Sequence, residues 1–407
     1  MDNKIRRYLR LFPVSTAISM DLLVWVAVNT LFLSAAKGFT DEQIVLSSTI
    51  ALWGGILLQY PVIRVMRLLG NTWSFRAAAI CYLTSALMVT FCKEFYLVVA
   101  GLVILQVAYT FTSVSDVMLQ NNLELIDREE DFVRYRTKAN TIYATTTMII
   151  AIVASPLFTI NYYLPMFCSI TFCITGLVLS FIVKDYSPYD RISGKPEKAK
   201  KLGSLLPKYS SYVWLLLIGT SLASAVMTVS QSEGKLFVQQ TLLTEYDIEK
   251  TAYLLGIAVL ISRIARVLAN LFSMRLQRWV REYLYVFLNG ILLGALSLLV
   301  IGFLLPIPLI FRFIIMGFGF SFTLFSWDIY HTHAKKQMLM ATPHEQHQTI
   351  MTAMTFGRRI TNAMINTVMT VVILQASMLW AIIGLAGLGV VQLLLNIYLL
   401  RFQKAKV

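Results

Sequence analysis

The sequence predicts an all-α membrane protein, with twelve transmembrane helices in two six-helix halves, residues 1–184 and 211–407, joined by a cytoplasmic linker at 185–210. Three observations predict it. Hydrophobic residues make up 57% of the 407 and charged residues only 14%, a balance too apolar for a soluble chain of this length. Apolar runs long enough to cross a bilayer recur along the chain, with one polar interruption near its middle. Basic residues concentrate in every second connection, as they do in loops retained in the cytoplasm.

The first run, Phe12 to Ala35, holds twenty-four residues, apolar but for small polar groups and Asp21. At ~1.5 Å per residue such a run covers ~36 Å, against a hydrocarbon core of ~30 Å, so Asp21, its tenth residue, falls near mid-membrane. The basic start followed by an apolar run superficially resembles a signal peptide. The run exceeds the ~7 to 15 residues of a signal core and contains an acid, so it reads as a retained first helix. Further helices are expected at about 41–63, 75–92, 95–119, 136–158 and 162–183, six before the linker. Six more follow at about 211–237, 249–273, 283–305, 309–333, 345–374 and 376–400.

One set of connections carries Arg6, Arg7, Arg64, Arg67, Arg134, Arg136, Arg275, Arg278 and the linker lysines; the other carries only Lys37, Lys93 and Lys250. Both termini are therefore expected in the cytoplasm. Capping boxes, whose side chains satisfy the open NH groups of a first turn, are expected at Thr40–Gln43, Asp127–Glu130 and Thr342–Glu345. The last two follow Asp116 and Asp328 at similar distances, a weak internal repeat of the two halves.

Several function classes are excluded. The net charge of +14 is spread over short connections instead of one basic face, so no nucleic-acid partner is expected. Cys81, Cys92, Cys168 and Cys173 form no CxxC pair and read as packing residues. His331, His333, His344 and His347 cluster around the last connection but one, yet HEQH is not the HExxH zinc motif, and they read as a solvated loop, with a cytoplasmic metal or pH-sensing site as the lesser alternative. No metal or cofactor is expected, and no Walker loop points to ATP as the driver.

The charges within the apolar runs carry the most information. Asp21 lies in helix 1, Asp116 in helix 4, Glu233 and Lys235 in helix 7, Arg263 and Arg266 in helix 8, Arg312 and Asp328 in helix 10, and Arg358 and Arg359 in helix 11. Away from their ends, helices 3, 6, 9 and 12 have none. Intramembrane charges must face protein or water, so every third helix reads as an outer support. In this pattern the chain resembles the major facilitator superfamily, and the resemblance runs its whole length. Of that family's loop 2–3 signature, Gly70 keeps the second glycine, while Ile63 and Arg67 stand where a glycine and an aspartate are usual. Its helix 5 antiporter motif is reduced to Ser155-Pro156, and the helix 4 arginine of drug antiporters is absent from residues 97–107. The resemblance implies a secondary transporter working by alternating access, with the inner helices lining the path.

Within that frame helix 4 presents Gln106, Tyr109, Ser113, Asp116 and Gln120 as one polar stripe, and helices 7, 8 and 11 present others. Trp25, Asn29, Gln106, Tyr109, Gln231, Arg263, Arg266, Arg358, Arg359 and Asn362 are the expected substrate contacts. Guanidinium groups bind carboxylate or phosphate through paired hydrogen bonds, so the arginines favour an anionic or zwitterionic solute. Asp21 is expected to carry a coupling proton or to pair statically with an arginine. Asp116 and Asp328, nearer the cytoplasmic ends, are expected to close a gate with Arg67 and Arg275. The expected whole is a monomeric plasma-membrane transporter of a small organic solute, coupled to protons or sodium. The alternatives are efflux of drugs or lipids and, from another class, a polytopic sensor or enzyme.

Overall fold

The computed structural model describes residues 2–19, 21–128, 131–187, 210–341 and 347–404, all in helices and short connections, with no strand among them. The chain divides into two compact units, Met1–Lys195 and Pro196–Val407.

The first unit contains α1 (Asp2–Ile18), α2 (Trp25–Leu31) running into a π-helical turn at Phe32–Ala36, α3 (Asp41–Phe91), α4 (Phe95–Thr112), α5 (Val114–Glu124), α6 (Phe132–Ile160) and α7 (Leu164–Ile182). The expected single first helix is two helices. It begins ten residues early, because Ile5, Tyr8, Leu9 and Phe12 form one buried face while Arg6, Arg7 and Arg10 stay exposed. It then stops, and no described residue between Ile18 and Trp25, Asp21 included, is helical. The expected helices 2 and 3 join as α3, which folds on Gly70 at φ 78°, a conformation open to glycine at little cost. Directly after it, Asn71 and Asn121 each donate from Nδ2 to Oδ2 of Asp185 at 2.9 Å, and the Ser187 NH donates to Oδ1 at 2.9 Å. This buried carboxylate, 1% exposed, thereby ties the end of α7 to α3 and α5. The Thr40–Gln43 capping box is present, with bonds of 3.3 and 3.0 Å. The other two expected boxes include Glu130 and 342–345, which lie outside the described residues, as does most of the linker.

The second unit contains α8 (Ser211–Leu243), α9 (Ile248–Val280), a 3-10 turn at Arg281–Tyr283, α10 (Leu284–Leu304), α11 (Leu309–Phe322), α12 (Trp327–Met340), α13 (His347–Gln375) and α14 (Met378–Lys404). Ser210 and Asp247 cap α8 and α9 from their side-chain oxygens. A side chain added at Gly319 would place its Cβ 2.6 Å from the Ala295 carbonyl oxygen, so α10 and α11 pack backbone to backbone there. Gly319→Val is expected to cost about 1–3 kcal/mol by forcing those helices apart. Thermal unfolding in detergent checks it against Gly290→Ala, where the added methyl meets nothing within 4 Å and stability should hold.

The α14 helix, uncharged from Met378 to Leu400, carries buried polar groups instead. Gln392 donates from Nε2 to the Gly219 carbonyl and to Tyr330 Oη, both at 2.9 Å, and the Tyr330 hydroxyl donates to Asn396 Oδ1 at 2.9 Å. This stretch is thus fastened by polar bonds to α8 and α12. Ten stretches among the described residues are long and apolar enough to cross a membrane. The broken first segment is not among them, nor is α13, 29 residues long, whose Arg358, Arg359, Asn362 and Asn366 lower its apolarity.

Candidate transport site

Three of the sequence-expected helices are interrupted, and each interruption meets candidate residues. In helix 1 the break holds Asp21; in helix 4 it falls at Ser113, between α4 and α5; in helix 10 it spans Thr323 to Ser326, between α11 and α12. Asp116 and Asp328 then sit in the first turns of α5 and α12, where the open NH groups of a helix start favour a carboxylate. The sequence hides these breaks because the interrupting residues are themselves small, polar or apolar. Their one signal is serine and threonine at the break points.

In the first unit Asp21 gathers donors from several elements. Its Oδ1 accepts the Leu22 NH at 2.8 Å and the hydroxyl of Tyr109 on α4; its Oδ2 accepts the Tyr143 hydroxyl of α6 at 3.2 Å. Tyr82 of α3 packs edge-on against Tyr109, with centroids 5.8 Å apart, and accepts from Thr112 Oγ1 at 3.2 Å. Tyr109 was expected near the lining; Tyr143 as a donor to Asp21 was not, since only rotation of α6 brings it there. Trp25, by contrast, is buried and packs edge-on against Phe32. Asn29 turns its Oδ1 to the Thr30 NH at 2.9 Å, and the Gln106 Cβ fills the space left by Gly55 on α3. Asp116 forms an ion pair with Arg136 of α6 at 3.1 Å. The Arg67 side chain lies outside the described residues.

In the second unit Asp328 receives a two-pronged guanidinium contact from Arg266 of α9, Nε to Oδ2 at 2.7 Å and Nη2 to Oδ1 at 2.8 Å, with Asn270 Nδ2 adding a third bond at 2.8 Å. Arg266, expected as a solute contact, is thus engaged by an acid of its own unit. Arg275 is exposed, its guanidinium 5.8 Å from the Phe272 ring centre. Gln231 Oε1 accepts the Thr323 hydroxyl at 2.7 Å, joining α8 to the helix 10 break. Arg358 donates from Nε to Ser224 Oγ at 3.0 Å and lies over the Trp327 ring, 5.2 Å from its centre. Arg263 is buried in α9, Arg359 is half-buried, and Asn362 Oδ1 has no partner among the described residues.

One expectation is corrected here. His331, read from sequence as part of a solvated loop, is 6% exposed inside the second unit, because α12 continues the helix 10 pattern past Asp328 and turns that face inward. His333 is half-buried, while His344 and the side chain of His347 lie outside the described residues.

A sequence model of the Major Facilitator Superfamily matches residues 11–365. The chain belongs to that superfamily. It is therefore a multi-pass membrane transporter and not an enzyme. No curated protein matches this major facilitator chain in sequence. Among solved structures, the POT family transporter PepTSo is similar with a TM-score of 0.73 and 10% identity, over 98% of this chain and 99% of that one. The nucleoside transporter NupG gives 0.65 and 12% over 96% and 98%. A bacterial homologue of the iron transporter ferroportin, in its inward-facing state, gives 0.67 and 12% over 97% and 98%. At such identities these likenesses concern the major facilitator fold and not the cargo.

Proposed function

We propose that this major facilitator protein is a monomeric secondary transporter that moves a small anionic or zwitterionic organic solute across the plasma membrane by alternating access, driven by protons. In this reading α1 with α2 and the polar α13 join the ten apolar stretches to make twelve spans, with both termini in the cytoplasm. The observation that carries the coupling is Asp21, an acid in a helix break whose carboxylate is held by the hydroxyls of Tyr109 and Tyr143. Desolvation favours the neutral form of a carboxyl and donors favour the charged form, so a group balanced between them responds to access by water. The arginines of α9 and α13 support an anionic cargo, now with Arg263, Arg358 and Arg359 as contacts and Arg266 occupied by Asp328.

A ligand screen by thermal stabilisation tests the cargo, since a solute at 100 times its Kd adds about 2.7 kcal/mol to the folded state. Organic anions are expected among the hits, and Arg358→Ala should weaken them about tenfold or more, roughly 1.4 kcal/mol. Hits confined to lipophilic cations would overturn the anion reading and favour efflux. Flux in proteoliposomes under an imposed pH gradient, compared with an imposed sodium gradient, tests the driver.

A further inference from the structure

Trp327, the first residue of α12, is a shared platform. The Arg358 guanidinium of α13 lies over its ring at 5.2 Å, and the His331 imidazole, one turn along α12, packs against it at a tilt, with centroids 4.3 Å apart and planes at 35°. His331 Nδ1 lies 2.8 Å from the Trp327 carbonyl oxygen. A carbonyl oxygen only accepts, so Nδ1 carries the hydrogen and, in the neutral ring, Nε2 is left with its lone pair. That nitrogen is buried and has no partner among the described residues. A basic nitrogen with its tautomer fixed and its lone pair unused is a proton-binding site in wait.

We propose that His331 Nε2 is a proton-binding site of this transporter, loaded when an anionic group of the solute occupies Arg358. The inference rests on the reading of Arg358 as an anion contact. Its surroundings supply the coupling. Burial opposes a positive charge at His331 first, and the Arg358 guanidinium over the shared Trp327 ring opposes it next, with Lys335 one turn further along α12, while Asp328 favours it. Asp328 is, however, already held by Arg266 and Asn270 of α9, which limits what it lends to His331. Tyr330 meets the ring at 6.4 Å and is committed to Asn396 and Gln392. An anion on Arg358 removes the largest opposing charge, so a proton from the aqueous side can then settle on Nε2. Nε2 then holds the added hydrogen, and solute and proton load together. By linkage the proton must tighten anion binding by the same factor.

Nitrogen NMR of the full-length protein in detergent, labelled with 15N-histidine, tests this directly, the His331 signals being those lost in His331→Gln. At pH 8 the signals should report hydrogen on Nδ1 and a bare Nε2. At pH 7, saturating benzoate should raise the proton-loaded fraction of His331 several-fold. Benzoate should also bind several-fold tighter at pH 6 than at pH 8, and His331→Gln should lose that pH dependence. Hydrogen on Nε2 in the benzoate-free protein at pH 8 would overturn the proposal. So would bound benzoate that leaves the loaded fraction unchanged, or a pH dependence that survives His331→Gln. If neither benzoate nor inorganic phosphate binds, the anion reading falls by itself. The histidine site is then judged on acid alone, standing if His331 becomes imidazolium between pH 8 and pH 5 in folded protein and falling if it stays neutral.

Discussion

Asp21→Asn is expected to reduce uphill accumulation in proteoliposomes by more than about tenfold, to background, while solute exchange across the same membrane persists within about threefold. Asparagine keeps the size of the side chain and one oxygen that can accept from Tyr109, so the helix break and its packing survive. What it loses is the ability to gain and release a proton. Exchange needs only the loaded carrier to reorient, whereas accumulation needs the proton to be carried with the solute and released on the other side. Tyr143→Phe, which removes the 3.2 Å donor to Oδ2, should produce a smaller loss of accumulation than the asparagine. Full proton-driven accumulation by Asp21→Asn would remove Asp21 from the coupling path and leave it a structural acid holding two tyrosines.

Much of the fold was legible because hydropathy and the 3.6-residue period are properties of single helices. The apolar stretches, the polar interruption between them and the polar stripes of α9 and α13 could all be read without knowing any neighbour. The breaks in helices 1, 4 and 10 could not, since residues 19–24, Asp21 aside, and 323–326 are as apolar or as small as the helices around them, and averaging over a window erases them. Asp21 was found by its cost in a membrane, which is a local argument. Its donors Tyr109 and Tyr143 depend on how α4 and α6 are rotated, which is not. His331 shows the same limit from the other side. Its neighbours His333, Lys335 and Lys336 give the segment a solvated look, yet the helical period carries His331 back to the buried face one turn after Trp327.

The pair Asp328 and Arg266 should show a larger energetic coupling than the other ion pairs among the described residues. Its two guanidinium bonds are short and parallel, and the side chains are only 30% and 20% exposed. Removing one member of a fully buried pair costs about 3–5 kcal/mol because the other charge is stranded, and partial exposure brings the expected cost here to about 2–3 kcal/mol. Asp328→Ala and Arg266→Ala should therefore each destabilise the protein, while the double variant is less destabilised than their sum by about 1–2 kcal/mol in a denaturant or thermal cycle. Asp116 and Arg136, the corresponding pair of the first unit, are 44% and 27% exposed, so water screens each charge when its partner is gone. Their coupling should stay below about 1 kcal/mol. Equal couplings at the two sites, or strict additivity at Asp328 and Arg266, would mean that solvent reaches the helix 10 break as freely as the helix 4 break. A double variant that folds well but transports nothing would give the pair a part in the cycle beyond holding α12 to α9.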